Sequence, residues 1–184
     1  MALAHLKIER PEIFDRLRLH FVGTGTSSND INGHRVRPKA KRYGVCEAIF
    51  EHPHRMPYMD VLVHLSNSSG ILIVGSTESH YSPSKVYQSV EARRPIFALL
   101  HDASTAVRVI RESNAGVVVQ FNEYNLPDPE DLAATLAGFV SNNDYHPGSV
   151  DWSSFSAYSA RESARKVAAA MDAALAEFKR QNPK

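Results

Sequence analysis

Short apolar runs rich in β-branched residues return along this chain at intervals of about 20 to 30 residues, and between them the apolar spacing becomes that of helices. That alternation constrains the fold more than any other feature. Parallel strands can be joined only by crossovers, and a crossover is usually a helix. Strands are predicted at Leu17–Val22, Val45–Phe50, Gly70–Ser76, Pro95–Leu100 and Gly116–Phe121, and helices at 57–68, 84–93, 102–113, Pro129–Asn142 and Ser159–Arg180. The runs Ile71-Leu-Ile-Val and Val117-Val-Val are continuous enough to be buried on both faces, which predicts that their strands are central. The expected class is α/β, a Rossmann-like parallel sheet of about five strands flanked by helices.

At 184 residues and 43% hydrophobic content the chain can bury one substantial core, so a single domain over 1–184 is expected, with 143–184 as an extension ending in a long helix. Lys and Arg total 21 against 20 Asp and Glu, which leaves no global field to attract nucleic acid or an anionic membrane. The single cysteine, Cys46, lies inside a predicted strand and reads as a small core residue. No apolar run approaches the roughly 20 residues that cross a bilayer, and Met1-Ala-Leu-Ala-His-Leu-Lys reads as helix rather than as a secretory signal. Cytoplasmic residence is the expectation. In the last helix Ala164, Val167, Ala168, Met171, Leu175 and Phe178 form one apolar stripe opposite Arg165, Lys166, Asp172 and Arg180. That stripe is expected to pack, on the chain's own domain or on a partner domain. Trp152 and Phe155 are the expected anchors of the turn-rich segment 143–156.

In a parallel α/β sheet ligands sit outside the carboxyl ends of the strands, where loops lead into helix N-termini. The run Gly70–Ser76 is followed by Thr77-Glu-Ser-His-Tyr-Ser-Pro-Ser-Lys and then by a helical pattern. Pro83 suits a first helical turn and Ser82 is a plausible cap, which places Ser84 and Lys85 at the helix start. A lysine there opposes the helix dipole. An anion would resolve the conflict, since backbone N–H groups, a hydroxyl and an ammonium together cradle phosphate; the alternative is a solvated lysine on an ordinary helix start. The first strand leads into Val22-Gly-Thr-Gly-Thr-Ser-Ser, where Gly23, Thr24 and Gly25 form either a tight turn or a loop that lets backbone approach a ligand. The third loop, Phe50-Glu-His-Pro-His-Arg-Met-Pro-Tyr, contains His52 and His54 without a further ligand at metal spacing, so a hydrogen-bonded loop or contacts to a base or ribose are the readings. Arg35, Arg37, Lys39, Lys41 and Arg42 lack interleaved aromatics and read as a solvated helix face. No G-x-S-x-G, H-E-x-x-H or Walker-type motif occurs.

The order Val-Gly-x-Gly, Pro-Tyr-Met-Asp-Val-Leu, Gly-Ile-Leu-Ile-Val-Gly-Ser and Tyr-Ser-Pro-Ser-Lys-Val-Tyr-Gln-Ser-Val-Glu-Ala-Arg-Arg-Pro-Ile-Phe-Ala resembles the C-terminal, donor-binding domain of retaining GT-B glycosyltransferases of the family 4, group 1 kind. The likeness spans Phe14 to Phe139 and is most specific at Pro83-Ser84-Lys85-Val86-Tyr87 followed by Arg94-Pro95-Ile96, a pattern found in enzymes of surface polysaccharide assembly. It implies a nucleotide diphosphate at Ser84 and Lys85, with Tyr81 and Ser82 in the same loop. The family places two glutamates eight positions apart; here His80 and Gln88 stand there, and Glu78 is the nearby carboxylate. Arg93 stands where the family has glycine. The resemblance also implies that an acceptor-binding N-terminal domain belongs to the complete protein.

The resulting expectation is the nucleotide-sugar-binding part of a glycosyltransferase, inactive as a fragment, with a nucleotide diphosphate sugar as substrate and no cofactor or metal. Lys85, His80 and Glu78 are the candidate catalytic groups. Gly23, Thr24, Gly25, Glu51, Arg55, Tyr81, Ser82, Ser84, Lys85 and Gln88 are the candidate donor contacts. Peripheral membrane association would come through the other half. The rival expectation is a degenerate GT-B-like domain serving as a regulatory or scaffold module.

Overall fold

A computed structural model of the chain describes residues 1–25, 33–142 and 145–181. Its strands are β1 (Leu19–Val22), β2 (Ile49–His52), β3 (Ile71–Val74), β4 (Ile96–His101) and β5 (Gly116–Phe121). The helices are α1 (Ala2–Glu9), α2 (Pro11–Phe14), α3 (Arg37–Arg42), α4 (Tyr58–Asn67), α5 (Lys85–Glu91), α6 (Thr105–Glu112), α7 (Pro129–Ser141), α8 (Trp152–Ser156) and α9 (Ala160–Gln181). The protein is α/β, and all pairing is parallel, as the alternation requires. The strands divide into two sheets, a pair β1-β2 and a triplet β3-β4-β5.

The centre of the triplet is β4, which corrects the expectation that β3 and β5 are central. Every residue of β4 except Leu99 is buried. In β3 only Ile71 and Ile73 are buried, while Leu72 and Val74 keep 38% and 58% of their surface exposed. An apolar run measures what a strand can bury; its neighbours settle what it does bury. Cys46 is also reassigned, since it opens a 3-10 turn at Cys46–Ala48 just before β2.

Two cores result. One lies between the triplet and the helices α5, α6 and α8, with Ile96, Ala98 and Leu100 facing Val86, Val90, Val109 and Ile110. Helix α6 supplies its share because Ala106, Val107, Val109 and Ile110 fall on one side and Arg108, Arg111 and Glu112 on the other. The second core joins α1, α2 and α3 to Ile49, Ala133 and Ala137. Helix α7 joins the second core to the face of β4 that points away from the first. Its Ala133 and Ala137 pack in the second core, and its Phe139 ring lies 5.3 Å from that of Phe97 on β4. Asp128 starts α7 by accepting from the Glu130 N–H at 2.8 Å, and Pro129 occupies the first helical position.

Phe155 is buried and Trp152 packs against the first core, as the turn-rich segment suggests. Helix α9 differs from expectation, because none of its residues is buried. Val167, Met171, Leu175 and Phe178 keep 60%, 68%, 52% and 63% of their surface exposed. The stripe is therefore real but is not buried against the body of this chain.

Candidate functional site

Strand direction brings the expected residues into two groups, each at the carboxyl end of a sheet. Around β1 and β2 lie Gly23, Thr24, Gly25, Glu51 and Arg55. Gly23 takes φ +72°, a left-handed conformation that glycine adopts without steric cost, and its N–H donates to His52 O at 2.8 Å. Gly25 N–H donates to Pro53 O at 3.0 Å, so the described part of the glycine loop is tied down onto the end of β2. Thr26, Ser27 and Ser28 of that loop lie outside the described residues.

Glu51 is committed to the fold. Its side chain is fully buried, and its carboxylate accepts from the backbone N–H groups of Arg35 (2.7 Å), Val36 (3.0 Å) and Arg37 (2.8 Å), which lead into α3. His34 Nδ1 stands 3.4 Å from the same carboxylate. Burial pushes the Glu51 carboxyl up, but the amide bonds from Arg37, Val36 and Arg35 outweigh it and bring the pKa down to about 2. The buried Thr24 hydroxyl lies close enough to favour the ionised form, without reaching hydrogen-bonding geometry to any neighbour among the described residues. Glu51 thus serves as a buried anionic cap for a basic helix, and its oxygens are occupied by the protein's own backbone. Of the basic run, Arg37, Lys39, Lys41 and Arg42 are exposed on α3, as read from the sequence, and Arg35 is exposed just before it.

The second group follows β3. Ser76 Oγ accepts from Glu78 N–H at 3.2 Å, and Tyr81 N–H donates to Glu78 O at 3.0 Å, which folds the loop into turns. Glu78 and His80 face each other at 3.6 Å with side chains 64% and 84% exposed, a surface pair that contributes little to stability. Ser84, rather than Ser82, occupies the cap position of α5, and it makes no side-chain cap bond. Ser82 is drawn to a different helix, where its Oγ accepts from Thr105 Oγ1 at 2.8 Å and from Thr105 N–H at 3.3 Å. Pro83 is buried, Ser84 and Lys85 are exposed, and Gln88 lies three residues further along α5. Among the described residues no carboxylate pairs with Lys85. No hydrogen bond or ion pair among the described residues links this group to the one around Glu51.

Arg93 is left-handed at φ +56°, just beyond the C-terminal end of α5, where glycine is the preferred residue. Its guanidinium lies over the Trp152 ring at 5.0 Å, a contact that offsets part of the backbone cost. Arg93 thus holds a backbone conformation that glycine adopts without steric cost.

The turn between β4 and α6 lies outside the loops that the sequence singles out. His101, buried at 4% exposure, closes β4, and Ser104, equally buried, occupies the cap position of α6 without a side-chain cap bond. The same rule that directs attention to strand-to-helix loops applies to His101-Asp-Ala-Ser-Thr, where Ser104 before an amphipathic run is a helix-start signal. A groove of about 440 Å³ runs beside this turn.

Among the described residues no three His, Cys, Asp or Glu side chains gather as metal ligands, and no helix is long and apolar enough to cross a membrane. His52 stacks on His20 at 5.9 Å across the β1-β2 pair. Compared with descriptions of known protein families and with curated proteins, the chain matches none.

Proposed function

We propose that the chain binds the diphosphate of a nucleotide sugar at the start of α5, as the donor-binding part of a glycosyltransferase. The observation that supports it best is Lys85, an exposed cation in the first turn of a helix, unpaired by any described carboxylate and next to a Ser84 hydroxyl that its own helix does not use. A helix start with this composition favours an anion. Lys85 would offset charge developing on a departing diphosphate, which is electrostatic stabilisation that needs no metal. Surface polysaccharide synthesis is the setting the resemblance suggests. Titration of the isotope-labelled chain with UDP or GDP should shift the amide resonances of Ser84, Lys85 and Val86. In Lys85→Gln the affinity should fall roughly ten-fold, the size of one charge-assisted hydrogen bond. Unchanged resonances at these positions would sink the proposal.

One observation favours a second reading, a non-catalytic scaffold of the same fold. Glu78 and His80 engage each other and Ser82 holds α6, so part of the loop is spent on the protein itself. Assay of the chain together with an acceptor-binding half, against a panel of nucleotide sugars, separates the two. A transferase releases nucleotide and a scaffold does not.

A further inference from the structure

We propose that two copies of the chain pair through α9, laid antiparallel about a two-fold axis at Met171. The helix is 22 residues long, about 33 Å, and none of its residues is buried. Val167, Met171 and Leu175 stand four positions apart and keep 60%, 68% and 52% of their surface exposed, and Phe178 follows at 63%.

The spacing selects the occupant. Helical side chains three or four apart share a face, and along this one Ala164, Val167, Met171, Leu175 and Phe178 are separated by three, four, four and three positions. That order reads the same from either end. A contact about a two-fold axis must be self-complementary, each patch meeting its own reverse in the other copy. Turned end for end about Met171, the second helix sets Leu175 against Val167, Phe178 against Ala164 and Met171 against itself. Each layer outside the centre then pairs a larger side chain with a smaller one, which fills the space between the helices evenly. Ala168 and Ala174, both exposed, flank these layers and let the two backbones approach. A parallel pair would instead set Phe178 on Phe178 and Ala164 on Ala164, with crowding at one end and a void at the other.

The area suits a weak, reversible dimer. The large side chains of the stripe and the alanines between them would remove roughly 1,000 Å² from water over both copies, the low end for specific interfaces. Charge does not block the contact. Glu162 is paired with Arg165 at 2.6 Å and Glu177 with Arg180 at 3.4 Å within the same helix, on sides turned away from the stripe. Five basic residues against three acidic ones leave each α9 with a small positive excess, so the copies repel slightly and added salt should strengthen the pair. Salt would weaken the binding of the same helix to an anionic lipid surface, which separates the two occupants.

The inference does not depend on the reading of α5, and sedimentation of the full chain over a concentration series tests it. The mass should rise from 20.4 kDa towards twice that value, with half of the chains paired at a concentration on the order of tens of micromolar. Met171→Gln with Leu175→Gln should weaken pairing by about ten-fold or more, since each substitution acts in both copies. In dilute solution, where the chain is a monomer, that variant should unfold with nearly unchanged free energy. Met171→Cys, placed on the axis, should give a disulfide-linked dimer on mild oxidation. Neither Lys166→Cys, on the far side of the helix, nor the original chain with Cys46 alone should do so. A chain that stays monomeric to about ten times the expected concentration, a dimer unaffected by the double substitution, or equal cross-linking at positions 166 and 171 would overturn the inference. Lowered stability of the dilute variant would overturn it as well, because the stripe would then pack on its own chain. So would binding to phosphatidylglycerol vesicles without any dimer, which would make the stripe a lipid-facing surface.

Discussion

Glu51 ties the β1-β2 pair to the backbone that leads into α3. Its carboxyl titrates at about 2 in the folded chain against an ordinary 4.5. The folded-state pKa is depressed, so the stabilisation is fully present above pH 4.5 and is lost as the pH falls towards 2. The difference corresponds to about 3 kcal/mol. Acid unfolding followed by circular dichroism should therefore show a loss of stability between about pH 4.5 and 2 that is absent from Glu51→Gln. At neutral pH that variant should be less stable by roughly 2 to 3 kcal/mol, because an amide cannot accept three backbone bonds with the strength of a carboxylate. A Glu51→Gln chain with wild-type stability at pH 7 would contradict the buried-cap role.

Among the elements, β5 owes its position to one residue. A Cβ at Gly116 would stand 2.1 Å from Ile96 O, so the first residue of β5 can pair closely with the first of β4 only as glycine. Gly116→Ala must move backbone rather than a side-chain tip. It is expected to cost on the order of 2 to 3 kcal/mol in urea denaturation, at the upper end for overpacking. The start of α5 shows a related dependence on neighbours. The helix starts at Lys85 with Ser84 at the cap position, two residues later than Ser82 and Pro83 suggest, because Ser82 is bound to Thr105, a partner 23 positions away. That bond ties the β3 loop to the start of α6.

For the molecule as a whole, α7 links the second core to the triplet, with small residues packed in that core and Phe139 against Phe97, on the face of β4 opposite the first core. Helix α9 contributes little to this arrangement. Since none of its residues is buried, Met171→Gln with Leu175→Gln should alter the unfolding free energy by no more than about 0.5 kcal/mol. A loss above about 1 kcal/mol would show that the stripe packs on the body of the chain after all. The expectation of packing rested on amphipathicity, which reports that a face can be buried and is silent about what covers it.

Periodicity made the element order legible, because a strand's alternation and a helix's stripe are properties of adjacent residues. Ile71–Val74, Ile96–His101 and Gly116–Phe121 fall within or beside their expected ranges for that reason. The helix start at Ser84 and Lys85 was legible for the same cause, since capping and dipole effects act within one turn. The division into two sheets, the central place of β4 and the burial of Glu51 against residues 35–37 were not legible. Each depends on partners distant in sequence, and a residue's own type does not encode which distant backbone will satisfy it. Ser104 and His101 belong to the same class. Their types mark a helix start and a strand end, and only the packed turn shows that Ser104 Oγ and His101 Nε2 are buried without a hydrogen-bond partner among the described residues.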